Sequence, residues 1–237
     1  MKQRAIVVAV AGLALVALAG AAGFVYYFSG LRTAPAQLGL SATPTASSAP
    51  ATTASVTGRW TVASGSIAGY RVKELFVGQA SKHEAVARTS TVSGSLTVSG
   101  DSSGYQVGGV RLTAGLADLH SVDSVAGRNV TQRDGVVSRQ LDVQQFPNAT
   151  LTVASASVPG VISSQPVDVT ATAKLTIHGV TKDVTVKAKA QLVGNRVEIA
   201  GSVAIDMTDF GISPPQVPFV TVDSAVVIDF DIFLTKA

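Results

Sequence analysis

The chain has 237 residues, a formal net charge of +3, 46% hydrophobic residues and no cysteine. This hydrophobic content is sufficient for a folded core, and the lack of cysteine excludes a disulfide framework, a thiolate metal site and a cysteine nucleophile. The pI near 9.3 favours a nucleic-acid-binding protein only if the basic residues belong to the folded part of the chain.

The first segment in chain order is a long apolar run. Residues 5–31 carry no charge, and Lys2 and Arg4 precede them. An apolar helix of roughly 20 residues spans a bilayer, and flanking positive residues stay on the cytoplasmic side. The run predicts a single-pass transmembrane anchor, or uncleaved signal, over residues 1–31 of a cytoplasmic-membrane protein, with the N-terminus inside. The alternative is a signal peptide cleaved after residues 17–19 (Ala-Leu-Ala), which would give a secreted protein.

Residues 32–57 are rich in Ala, Thr, Ser and Pro and show no hydrophobic periodicity. Such a composition buries too little apolar surface to offset chain entropy, so it predicts a flexible tether. The whole excess of positive charge lies in Lys2, Arg4 and Arg32, which leaves residues 58–237 neutral. No nucleic-acid partner is therefore expected.

From residue 58 to residue 237 the hydrophobic pattern has a period of two. Residues 91–98, 184–190 and 226–234 alternate in this way, with Gly, Asn and Pro between such runs. The pattern predicts an all-β domain of about eight antiparallel strands, which is either a closed barrel or a two-sheet sandwich.

One stretch has a helical period instead. Between residues 124 and 143, the side chains Val130, Arg133, Val137 and Leu141 recur at intervals of three and four. This spacing predicts one short helix inside the β domain.

Few residues carry a catalytic signature. His83, His120 and His178 are not at metal-ligand spacing, and no nucleotide-binding or nucleophile motif is present. Asp206, Asp209 and Asp223 are the carboxylates that an enzyme, for example a glycosidase, would use for acid–base chemistry.

Asp229 and Asp231 alternate with apolar residues of the last predicted strand. Both carboxylates therefore lie on one face of that strand, and we expect this face to be the solvated outer one.

Several motifs taken together resemble the YceI-like family, the polyisoprenoid-binding, lipocalin-like proteins of the bacterial envelope. The hairpin motif reads Ala-Lys-Leu-Thr-Ile-His-Gly-Val-Thr-Lys at 173–182. The other matching segments are Trp-Thr-Val at 60–62, residues 66–72, Arg-Asp at 133–134, Phe-Pro-Asn-Ala-Thr at 146–150 and Asp-Phe-Gly-Ile at 209–212. The resemblance covers the predicted domain, residues 58–237.

The resemblance implies an antiparallel eight-stranded lipocalin-like barrel with one short helix, preceded here by the transmembrane segment. Its elongated cavity would hold a polyisoprenoid, an isoprenoid quinone or another long-chain lipid, with no metal, no other cofactor and no catalytic residues. The candidate lining residues are Tyr70, Val72, Phe76, Leu112, Leu116, Phe146, Leu151, Val153, Leu175, Ile177 and Phe210.

Three hypotheses for the function remain at this point. The first is a membrane-tethered, extracytoplasmic lipid-binding protein that carries or sequesters an isoprenoid. The second is a non-catalytic interaction or structural module of the envelope, with a barrel filled by side chains. The third is an enzyme that uses the late carboxylates, and we expect the protein not to be one. The expected partners are a long-chain lipid and the membrane, and a homodimer is left open.

Overall fold

The chain folds into β-strands with one α-helix and one 3₁₀ turn, in a computed structural model that describes residues 18, 33–41, 56–101, 104–159 and 163–237. The elements are β1 (Gly58–Val62), β2 (Ile67–Phe76), β3 (His83–Thr89), β4 (Val92–Asp101), β5 (Gly104–Gly115), β6 (His120–Ser121), α1 (Gln132–Gln140), β7 (Asn148–Val158), β8 (Val167–Ile177), β9 (Val180–Val193), β10 (Arg196–Asp206), the 3₁₀ turn (Met207–Phe210) and β11 (Val220–Lys236).

Eight of the strands form a closed antiparallel barrel. The order around the ring is β1-β4-β5-β7-β8-β9-β10-β11, and β11 returns to β1 through pairs such as Trp60 with Lys236. The first part of β11, from Val220 to Asp231, pairs with β2, and β3 and β6 continue the sheet beyond β2. The predicted eight-stranded barrel is therefore confirmed, and the sandwich alternative is excluded.

The period-two pattern places one row of side chains inside the barrel. Along β8, Ala173, Leu175 and Ile177 are buried, whereas Lys174 between them and Thr172 before them are exposed. This alternation follows from the pleat of the strand, which turns successive side chains to opposite faces of the sheet.

A two-residue turn fixes the register of β8 and β9. His178 and Gly179 both have positive φ angles, 52° and 74°, as a type I′ hairpin turn requires. The ring of Phe146 packs edge-on against the His178 imidazole, with 5.2 Å between ring centroids. A Cβ on Gly179 would lie 2.6 Å from the Phe146 ring, so this close approach also requires glycine.

The predicted helix is present as α1, a nine-residue segment near the upper end of the barrel. We define the upper end as the one where β2 ends at Phe76 and β11 begins at Val220. The lower end carries the turn between β9 and β10 at Gly194. Gly135 lies within α1 and does not interrupt it.

The barrel interior contains two main hydrophobic clusters. The lower cluster is built around Trp60, Phe230 and Leu234, and Trp60 donates its indole N–H to the carbonyl of Val56 at 2.8 Å. The upper cluster contains Val72 and Phe210 and is less completely filled.

Residues 33–41, which we call the strap, lie along the outer wall of the barrel. Their hydrogen-bond partners come from the segment after β6 and from β3, β2, β11, β10 and β9, so the strap crosses adjacent strands in turn. The first contact joins the backbones of Thr33 and Ser124, and the last joins the Ser41 N–H to Glu198 Oε1 at 2.7 Å. This fixed path differs from the flexible chain expected for residues 32–57, because buried polar side chains of the wall bind the strap backbone.

The strap covers polar side chains that point outward from the strands. Asp229 and Glu198 are completely buried, and Arg71 is 6% exposed. The expectation that Asp229 and Asp231 form a solvated outer face is therefore wrong for Asp229, and Asp231 is partly buried. The outward direction of both side chains is as expected; a second layer of chain lies over them.

Over the described ranges, no helix is long and apolar enough to cross a membrane. The predicted anchor over residues 1–31 lies outside the described residues, apart from Leu18.

Candidate apolar ligand cavity

The upper half of the barrel encloses a cavity of about 630 Å³. Strands β2, β10 and β11 form one wall with the inward residues Val72, Ile205 and Ile228. Helix α1 forms the opposite wall with Val137, and the segment that follows it adds Leu141. The volume lies in the range of small-molecule sites, roughly 300–1,000 Å³.

Side chains fill the lower half almost completely. A second cavity there measures about 100 Å³ and has a wholly apolar lining that includes Trp60 and Phe230. The space for a ligand is therefore concentrated at the upper end.

The structure divides the eleven predicted lining residues into three groups. The large cavity is lined by Tyr70, Val72, Phe76, Leu116 and Ile177. The small lower cavity is lined by Leu112, Leu151 and Val153.

The remaining three, Phe146, Leu175 and Phe210, are in neither lining. Leu175 and Phe210 belong to the packed upper cluster, and Phe146 packs on the β8–β9 turn. Each of the three is apolar and is buried or half-buried by neighbouring side chains. The sequence pattern does not distinguish such a packed position from one that lines a cavity.

Several lining residues were missed from the sequence. Val130, Val136 and Val137 come from α1 and the turn before it, and Val226 and Ile228 come from β11. The helical spacing that indicated α1 already contained Val130 and Val137, and extending the alternation of β11 towards its start finds Val226. Both signals were present in the sequence, but nothing in them showed that α1 closes the barrel.

A charged cluster attaches α1 to the barrel wall. The Arg133 guanidinium donates to Glu74 Oε1 at 2.7 Å and to Asp123 Oδ1 at 2.7 Å. Asp123 also contacts His83 Nε2 at 2.7 Å and accepts the Val86 N–H at 3.0 Å. Arg133 and Glu74 also line the cavity, so this cluster is the main charged group of its wall.

The pKa shifts in this cluster favour the charged forms of Asp123 and Arg133. Burial raises the pKa of Asp123, but hydrogen bonds from His83, Arg133 and the Val86 N–H outweigh that effect and hold it well below its usual range. Burial lowers the pKa of Arg133, but the hydrogen bond to Asp123 and the charge of Glu74 both raise it. The second effect is larger, so the pKa of Arg133 lies above its usual value. The cluster therefore holds its charges internally and presents no free carboxylate to the cavity.

Glu74, His83 and Asp123 place one potential metal-ligating atom each within 4.8 Å of one another. Arg133 donates to both carboxylates, so its guanidinium already supplies the positive charge that a metal ion would bring. The residues present fit an arginine-centred ion-pair cluster better than a metal centre.

Tyr70 adds a neutral polar group to the cavity wall. Burial raises the pKa of its phenol, with smaller opposing and reinforcing effects from the charged cluster. The phenol therefore remains protonated near neutral pH and offers a hydrogen-bond donor to a ligand.

Of the three carboxylates considered for catalysis, Asp206 and Asp223 have structural partners. Asp206 accepts the Thr208 N–H at 2.9 Å and the Ser224 hydroxyl at 2.6 Å, as the cap of the 3₁₀ turn. These hydrogen bonds, from Ser224 first and Thr208 second, lower its pKa. Asp223 is paired with Lys82 at 2.7 Å, and Asp209 is exposed. None of the three lines the large cavity as the described residues define it.

The cavity opens to solvent between α1 and the loop before β11. Arg128, Asn129 and Phe219 are the exposed lining residues that define this mouth, together with Gly127 and Gln132. The Arg128 guanidinium lies over the Phe76 ring, 4.1 Å from its centroid. Phe219 is 53% exposed, and its carbonyl accepts the Val77 N–H at 3.0 Å.

A closed eight-stranded barrel with an internal apolar cavity is the architecture of barrels that hold one small ligand. The sequence model of the YceI-like domain matches residues 45–234. The chain belongs to the YceI-like family, as the motifs of residues 58–237 indicated.

Two solved structures are similar to the chain at low sequence identity. BcnA from Burkholderia cenocepacia is 18% identical, over 69% of this chain and 95% of that chain, with a TM-score of 0.41. The YceI protein of Campylobacter jejuni is 16% identical, over 70% of this chain and 86% of that chain, with a TM-score of 0.43. A search of curated proteins finds no match to the chain.

Proposed function

We propose that the protein is a membrane-tethered, extracytoplasmic lipid-binding protein. It holds a polyisoprenoid, an isoprenoid quinone or another long-chain apolar molecule in the upper cavity, for carriage or sequestration, and catalyses no reaction. The observation that carries the proposal is the cavity of about 630 Å³ between β2, β11 and α1.

The chemistry of the cavity wall supports an apolar ligand. Its inward residues from β10 and β11 are aliphatic, and the charges of the Arg133 cluster are paired with one another. Burial of each CH₂ group contributes about 0.8 kcal/mol. A few isoprene units in this space thus offset the several kcal/mol that association costs.

The filled lower half bears on the alternative of an interaction module with a solid barrel. Side chains occupy that half nearly completely, so the alternative describes it well. The upper cavity favours the lipid-binding proposal, because a barrel that serves only as a scaffold has no need of so large a void.

A cavity-filling variant tests the proposal. Ala149 lines the large cavity, and Ala204 is exposed on β10. The full chain and the variants Ala149→Trp and Ala204→Trp are purified from membranes in mild detergent, and the bound lipid is measured by mass spectrometry after organic extraction. Wild type and Ala204→Trp should retain an isoprenoid lipid. Ala149→Trp should retain at least about fivefold less, because the larger side chain takes up ligand space and such overpacking costs about 1–3 kcal/mol.

The melting temperature of each variant is compared with that of the wild type, to establish that a variant that loses lipid is still folded. An absence of long-chain lipid from the wild-type protein, together with no uptake of added polyprenol or quinone, would overturn the proposed function. Equal retention by Ala149→Trp and Ala204→Trp would place the ligand elsewhere.

A further inference from the structure

The strap begins at a fixed point on the barrel. Thr33 and Ser124 exchange two backbone hydrogen bonds, at 3.1 and 2.8 Å, and their hydroxyls lie 2.6 Å apart. Further along, Arg88 Nη2 donates to the Ala36 carbonyl at 2.7 Å, and the Leu38 N–H donates to Asp229 at 2.9 Å. The position of Thr33 is therefore set by the barrel.

Thr33 follows almost directly on the apolar run of the sequence. Residues 5–31 are uncharged, and Arg32 is the one residue between that run and Thr33. An extended residue spans at most about 3.6 Å, so the Cα atoms of Leu31 and Thr33 are no more than about 7 Å apart. If the run crosses the bilayer, Thr33 lies at the membrane surface and not at the end of a long tether.

Ser124 is also close to the cavity mouth. Arg128 follows it by four residues, a span of at most about 14 Å, and the Arg128 N–H bonds to the Val125 carbonyl at 3.1 Å. Through its stacking on Phe76, Arg128 belongs to the mouth itself. The strap thus begins beside the opening of the cavity.

The mouth has the surface chemistry of a lipid-contacting site. Among the described residues of the barrel domain, the large hydrophobic side chains that are exposed are Val77, at 70%, and Phe219, at 53%. A backbone hydrogen bond joins these two at the rim. Exposed apolar residues beside a basic group such as Arg128 suit the boundary between anionic headgroups and acyl chains.

We infer that the cavity mouth faces the bilayer, with Val77 and Phe219 in contact with lipid, so that an apolar ligand moves between membrane and cavity without crossing bulk water. The inference rests on the membrane anchor of the proposed function and adds the orientation of the barrel on that anchor. The strap sets this orientation, because it is bound to the barrel from Thr33 onward and only Arg32 separates Thr33 from the apolar run.

The absence of cysteine from the chain makes the orientation measurable. Phe219→Cys places a label at the mouth, and Asn195→Cys places a matched label on the exposed turn between β9 and β10 at the lower end. Each full-length variant is labelled with an environment-sensitive fluorophore and reconstituted in vesicles of phosphatidylcholine and phosphatidylglycerol. Spin-labelled lipid then quenches the label where it touches the bilayer.

The expected result is quenching several-fold stronger at position 219 than at position 195. Equal quenching at the two positions, or stronger quenching at 195, would overturn the inference. The lipid bound by the same preparations is measured separately. Retained isoprenoid with an unquenched label at 219 contradicts only the orientation, and an empty cavity in the wild type contradicts only the proposed function.

A second variant tests the role of the strap without altering its contacts. About 20 Gly and Ser residues are inserted between Arg32 and Thr33, which adds an average reach of about 25 Å. Quenching at position 219 should fall towards the value at 195. Unchanged quenching in the insertion variant would contradict the assignment of the orientation to the strap.

Discussion

The Arg71 guanidinium donates from Nε to Asp229 Oδ2 at 3.0 Å on the outer wall of the barrel, where both side chains are buried. The Leu38 N–H donates to the same carboxylate oxygen at 2.9 Å, and the Pro35 carbonyl accepts from Arg71 Nη2. The ion pair therefore lies between two layers of chain and binds the strap to the strands beneath it.

We predict that Asp229→Ala destabilises the protein by about 2 kcal/mol, because the Arg71 Nε and the Leu38 N–H lose their buried acceptor. The ion pair of Arg71 with the partly exposed Glu84, at 2.6 Å, remains and limits the loss. Urea unfolding followed by circular dichroism measures this change. Asp168→Ala is the matched control, since Asp168 forms an exposed pair with Lys189 at 2.7 Å and should cost less than about 1 kcal/mol. Similar losses in the two variants would show that the strap leaves the pair hydrated.

We also predict that Arg133→Ala destabilises the protein by about 3 kcal/mol or more. The substitution leaves two buried carboxylates, Glu74 and Asp123, without the guanidinium that pairs with them. Because Arg133 attaches α1 to the wall, the variant should also retain less lipid. Arg139→Ala, on the exposed side of the same helix, is the control for both measurements. A stable Arg133→Ala protein with normal lipid content would show that α1 is held by its apolar contacts alone.

The Asp231 carboxyl predicts a measurable pH dependence. Burial, followed by the neighbouring Glu198 carboxylate, raises its pKa from 3.8 to about 6. Between these two values the folded protein retains a proton that the unfolded chain has lost, so this group's contribution to stability falls as the pH rises. With allowance for the partial exposure of Asp231, the change is on the order of 1 kcal/mol.

Asp231→Asn removes that titration. We expect the free energy of unfolding of the variant, relative to wild type, to increase between about pH 4 and pH 7. The difference between the two proteins isolates Asp231 from groups such as Asp123, whose lowered pKa acts in the opposite direction. A difference that is constant over this range would contradict the raised pKa.

Two glycine substitutions separate backbone strain from steric overlap. Gly179 and Gly194 both have positive φ, 74° and 63°, but a Cβ meets the Phe146 ring only at Gly179. Gly194→Ala should cost about 1 kcal/mol for its backbone conformation alone, and Gly179→Ala should cost clearly more. Chemical denaturation gives both values. Phe146→Leu in the Gly179→Ala background should recover part of the loss, and equal costs at the two glycines would contradict the overlap with Phe146.

The strands were predictable because their determinants are local, whereas their closure into a barrel was implied by the family resemblance, since the alternation alone also allowed a sandwich. The alternation along β8 fixes which side chains face inward, and the His-Gly pair at 178–179 fixes a two-residue turn between two strands. Likewise, the spacing of Val130, Arg133 and Val137 indicates a helix, although it does not indicate where the helix packs on the barrel.

The division of the interior into a filled half and an open half was not predictable in this way. Val153 and Ile177 both point inward, but Val153 faces the nearly filled lower half and Ile177 faces open space. The difference depends on side chains from strands far apart in sequence and on α1, whose side chains line the upper cavity. Residues 33–41 gave no hydrophobic pattern at all, since their backbone binds polar groups such as Glu198 and Asp229.

The pairing of β1 with β11 has a consequence for the order of folding. Trp60 and Lys236 are partners in the ring, so the lumen does not exist until nearly all of the intervening chain has been synthesised. Contacts between residues so distant in sequence form slowly, and until then the inward faces of the strands are open to other molecules. An apolar molecule present during this interval can be enclosed as the last strand joins the first.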